Sequence, residues 1–172
     1  MSTTDERTKF LTIYLQDHAA GATAGSRRAA RLAEAEAESQ DAPVLAKFAD
    51  DVAADFATLL RLMVRLGVEP SRLKAAVAST AEKLGALKLN GRVVRRSPLS
   101  TVVELEAMQM AVRCKRSSWE TMQMVIPTPA PVDLDALDAR ADHQLEVLSG
   151  LHAGCVANAF APQPSGVADM RV

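Results

Sequence analysis

The stretch FLTIYLQDHAAGATAGSRRAARLA, Phe10 to Ala33, decides how the chain is read. Leu11, Leu15, His18, Ala22, Gly25, Ala29 and Leu32 recur at spacings of three and four, which predicts a long helix from about Thr8 to Glu38. Its apolar stripe is thin in the middle. There Asp17 and His18 stand beside a run of small residues, and Gly21, Ala22 and Gly25 share one face, predicting a close crossing with a neighbouring helix, with room left for a ligand or metal site as the alternative. Beyond Arg31 the segment AEAEAE forms helix readily and turns its charges outward.

Outward from this helix the chain repeats the pattern. Gln40-Asp41-Ala42-Pro43 reads as a turn, and a second helix carries Leu45, Phe48, Val52, Phe56, Leu59, Met63 and Leu66. Gly67 at a left-handed cap position and Pro70 behind it stop that helix. A third is expected over Ser71–Leu87, followed by LKLNGRVVRRSP with a turn at Asn90-Gly91. Ser97 and Pro98 open a helix carrying Leu99, Val102, Leu105, Met108, Val112, Trp119 and Met122. The stiff linker PTPAP follows. Asp133 then caps a last helix with Leu134, Leu137, Ala141, Leu145, Leu148, Leu151 and Cys155 on its stripe.

The 172 residues suit one domain, expected over residues 1–160 with a flexible tail over 161–172. Ala and Leu dominate and aromatics are 3%, which favours helix over strand. A net charge of -1 gives no global field toward nucleic acid, and none is expected as partner. The polar start MSTTDERTKF lacks the form of a secretory signal, and no run is long enough to span a membrane, so a cytoplasmic protein is expected. Cys114 and Cys155 lie far apart in helical patterns and read as buried small hydrophobes.

Short connections make the first two helices one antiparallel hairpin and the last two another. The segment between them is expected to run back along the bundle, so that the helix opening at Pro98 would lie parallel to the one ending near Leu66. The fold class is therefore all-α, a ferritin-like four-helix bundle of two antiparallel hairpins with an extra helix in the long crossover. On YLQDHAAGATAG, LMVRLGV, AEKLGALKLNGRVVRRSPLSTVVELEAM and a late Trp, the chain also resembles an uncharacterised bacterial ferritin-like family. That resemblance implies a fold and supplies no reaction.

A di-iron or di-manganese carboxylate centre in such a bundle uses Glu-x-x-His from two helices. Here the residues three before His18, His143 and His152 are Leu15, Arg140 and Ser149. No cofactor is therefore expected. An aberrant iron or manganese site, as the alternative, would draw on Asp17, His18, Asp55, Glu104, Glu106 and Asp142. Matching levels along the hairpins places Glu104 and Glu106 near Ala153 to Cys155 and near Arg27, Arg28 and Arg31, with His152 beside them, and that cluster reads as ion pairs. His18 falls at another level, opposite Met63 and nearer Asp142. A second alternative is an anion-binding module on the basic loop, using Arg92, Arg95 and Arg96. With no nucleophile elbow, phosphate loop or standard metal pattern, the expectation is a non-enzymatic bundle acting through protein contacts as a homo-oligomer.

Overall fold

The computed structural model describes residues 3–69 and 97–161. Four helices make up the described chain: α1 (Thr3–Ala35), α2 (Ala42–Arg65), α3 (Pro98–Val125) and α4 (Leu134–Ala159). The helix expected over Ser71–Leu87 lies outside the described residues, as does nearly all of the tail.

Local chemistry sets the helix ends. At the close of α2, Gly67 takes φ 70°. This lets the Val68 N–H reach the Met63 carbonyl at 2.9 Å and the Gly67 N–H reach that of Val64 at 3.1 Å. These are the paired bonds of a Schellman stop, and buried Val68 packs behind it. Ser97 caps α3, its hydroxyl accepting from the Leu99 N–H at 3.3 Å. Asp133 caps α4 by accepting from the Ala136 N–H at 2.9 Å.

Direction follows from bonds between the helices. Arg7 near the start of α1 donates to the Val125 carbonyl at the end of α3, at 2.9 Å. Thr101 near the start of α3 donates to Glu36, just past the end of α1, at 2.7 Å. Helices α1 and α3 are therefore antiparallel neighbours. The hairpins α1–α2 and α3–α4 pack along their lengths, while α2 and α4 touch least, and α2 runs in the same direction as α3.

The core runs between the helices along Leu15, Leu32, Phe48, Leu62, Leu105, Trp119, Met122 and Leu148. Burying such side chains supplies about 1.5–3 kcal/mol each before entropy is charged against it. On α2 the buried face is Leu45, Phe48, Val52, Asp55, Leu59 and Leu62, at spacings of three and four. Asp55 thus occupies the core position that the sequence suggested for Phe56, which is only half-buried. Gln144 does the same on α4 in place of Leu145. Cys114 corrects another expectation, since it is exposed. It lies beside Lys115 in the register of α3, where the step from Val112 to Lys115 to Trp119 belongs to the core face.

Candidate functional site

Three polar side chains from three helices meet at mid-height because each stands where the apolar repeat of its helix would place a Leu. Asp55 of α2 is 1% exposed. An unpaired carboxylate at that depth would cost several kcal/mol, so its partners decide whether the fold tolerates it. Lys115 of α3 donates from Nζ to Asp55 Oδ2 at 2.6 Å. It also donates to Gln144 Oε1 on α4. Gln144 Nε2 in turn donates to Asp55 Oδ2 at 3.2 Å. Arg140, one turn earlier on α4, brings Nη1 to 3.1 Å from Asp55 Oδ1. That approach pairs the charges without hydrogen-bond alignment, and Oδ1 keeps no hydrogen bond among the described residues. Burial pushes the Lys115 ammonium below its ordinary value, and the charge of Asp55 and its hydrogen bond work against that shift.

Beside this cluster α1, α2 and α3 line a partly open cavity of about 160 Å³ with a mainly apolar wall. From α1 come His18, Gly21, Ala22 and Gly25. From α2 and α3 come Val52, Phe56, Leu59, Met108, Val112 and Trp119, with Asp55 and Lys115 at one side. The glycines explain the space. Apart from chain neighbours and the adjacent backbone of α1, no atom of the described residues lies within 4 Å of where a Cβ would stand at Gly21 or Gly25. No other described element comes close at Gly21 and Gly25, so the two glycines leave room, while Ala22 packs against the core. Trp119 lines the cavity, and its buried indole N–H has no acceptor among the described residues.

His18 faces the same cavity, half-buried, with its ring stacked on Tyr14 at a centroid distance of 4.4 Å and a tilt of 52°. Desolvation lowers its pKa from 6.5, opposed by the neighbouring charge of Asp17. At neutral pH it is an uncharged imidazole. Asp17 itself points to solvent.

The remaining candidates lie apart. Glu106 meets His152 at 3.3 Å on the α3–α4 surface, the pairing its level in the hairpin suggested. Asp142 pairs with Arg116 at 3.0 Å. Glu104 is engaged in an interaction of its own and borders a second groove of about 500 Å³ with Arg27, Arg28 and Arg31. The six residues considered for iron or manganese thus fall into separate clusters. Among the described residues no group of three or more His, Cys, Asp or Glu is placed to hold a metal ion. Arg92, Arg95 and Arg96 lie outside the described residues.

Lys115 and Gln144 were missed as partners of Asp55 at the level of sequence, although spacing carried the signal. Counting in threes and fours from Val112 lands on Lys115, and counting from Ala141 lands on Gln144. Chemically the cluster offers no open nucleophile or base, because its charges are spent on each other, whereas the cavity offers a shaped apolar volume. Among the described residues no helix is long and apolar enough to cross a membrane. Comparison of the chain with protein-family models, with curated proteins and with solved structures finds no match.

Proposed function

We propose that the chain is a non-enzymatic, ferritin-like helical bundle that works by binding a small, apolar-bodied molecule between α1, α2 and α3. The observation that carries the reading is the cavity itself, a mainly apolar space bordered by a few polar groups, as small-molecule sites are. Catalysis is disfavoured because Asp55 is engaged by both Lys115 and Arg140 and is not poised on a reacting atom. The ferritin-like part is supported by two antiparallel hairpins with α2 and α3 running the same way, joined through residues 66–97.

Trp119 is the only tryptophan, so its indole N–H gives a single, assigned proton–nitrogen resonance. Titrating 1-octanol into the full chain should shift that resonance saturably. In Ala22→Leu, which extends a cavity-lining side chain into the space, the shift should disappear. An unmoved resonance in the wild type would sink the reading.

A second reading, protein contacts within a homo-oligomer, is favoured by Phe10, Val64 and Met124, all well exposed. They share one end of the bundle, where Arg7 meets Val125 and Gln16 donates to the Glu69 carbonyl. A mass by light scattering equal to one chain would remove it.

A further inference from the structure

The groove bordered by Arg27, Arg28 and Arg31 is not separate from the cavity. Gly21, Gly25 and Ala111 line both. With no side chain on the two glycines and, apart from chain neighbours and the adjacent backbone of α1, no atom of the described residues within 4 Å of their missing Cβ positions, no described side chain or neighbouring helix closes the junction there. One elongated molecule fits a tail in the apolar cavity and a head among the arginines.

The chemistry at the two ends differs sharply. Toward Trp119 the wall is Val52, Leu59, Met108 and Val112, which rewards hydrocarbon. At the other end three guanidiniums face the one carboxylate of Glu104 across a floor of small residues. Arg27 borders this groove, and its Nη1 is buried with no hydrogen-bond partner among the described residues. The guanidiniums that border the groove can give their accessible N–H groups to an oxyanion with charge assistance. Asp55 does not repel such a ligand, because Lys115 and Arg140 already offset its charge.

Building on the binding role proposed above, the geometry points to an anionic single-chain amphiphile, a free medium-chain carboxylate, as the ligand. Its tail enters the cavity between α1, α2 and α3. Its carboxylate accepts from Arg27 and its neighbours Arg28 and Arg31.

Octanoate and 1-octanol have the same chain length and differ in the charge of the head, so the pair separates this inference from the cavity reading. Octanoate should bind the full chain about tenfold more tightly than octanol, followed by calorimetry and the Trp119 indole resonance. Raising ionic strength should weaken octanoate and leave octanol unweakened. The triple variant Arg27→Gln, Arg28→Gln, Arg31→Gln, checked for folding by circular dichroism, should bring octanoate down to octanol. Should it fail to fold, Arg27→Gln alone and the salt series carry the same comparison. Equal affinities in the wild type overturn the anionic head and leave the cavity reading standing. Binding of neither probe overturns both. Octanoate binding that survives Ala22→Leu overturns the tail placement. Retention on phosphatidylglycerol vesicles with no response to octanoate assigns the arginines to a membrane surface and overturns the proposal.

Discussion

Replacing Asp55 by Asn keeps the shape of the side chain and removes the charge that Lys115 and Arg140 are gathered around. Lys115 is mostly buried, so its ammonium then lacks compensation in a poorly solvated place. Asp55→Asn should lower stability by about 3–5 kcal/mol in urea denaturation. The double variant Asp55→Leu, Lys115→Met exchanges the pair for hydrocarbon and should recover most of that loss, which a double-mutant cycle measures. His18 supports a prediction of the opposite chemical kind. Its folded pKa lies below 6.5, so between the two values the unfolded chain binds more protons. Stability is therefore fully present above pH 6.5 and is lost as pH falls through 6.5 toward the folded value. His18→Gln should flatten that acid-side decline, read as the change in Tm between neutral and mildly acidic buffer, and an unchanged slope would refute the assignment.

At the scale of the element, α1 carries two glycines in a helix interior with open space where their side chains would be. Alanine at either position meets nothing and lowers the conformational entropy of the unfolded chain. Gly21→Ala and Gly25→Ala should each stabilise the bundle by about 0.5–1 kcal/mol. If the cavity and groove form one site, the same changes narrow the junction and weaken octanoate, so stability and binding move in opposite directions. Destabilisation in thermal melts would show that the space is needed for packing after all. The elements themselves were legible in the sequence where the signal is local. Gly67, Ser97 and Asp133 act within a few residues of themselves, and each does what its type and position suggested. The buried cluster was harder to see. Asp55 and Gln144 each adjoin an apolar residue, Phe56 and Leu145, that offers an easier reading of the stripe one position on. Only the partners on other helices make the polar choice tolerable. The cavity was least legible of all, since small residues at Gly21, Ala22 and Gly25 are compatible with either a tight crossing or a gap.

For the whole molecule the direction of the hairpins could be read from the connections, because a short link forces neighbours to run antiparallel. The position of an anion site could not. Sequence drew attention to Arg92, Arg95 and Arg96, which lie outside the described residues, while the groove proposed above for an anion is bordered by Arg27, Arg28 and Arg31, whose surroundings depend on how α1 packs against α3. Most interhelical packing lies within each hairpin, between segments close in the chain, and such local contacts form rapidly. The bonds from Asp55 to Lys115 and Gln144 join residues far apart in sequence and belong to the docking of one hairpin on the other. We expect such long-range bonds to form late, after the hairpins. In stopped-flow chevrons, Asp55→Asn should therefore steepen the loss almost wholly on the unfolding limb and leave the refolding limb nearly unchanged. Refolding slowed in proportion would place the cluster in the nucleus instead. On that expectation the lifetime of the assembled bundle would be set largely by one carboxylate, with Asp55 as its kinetic latch.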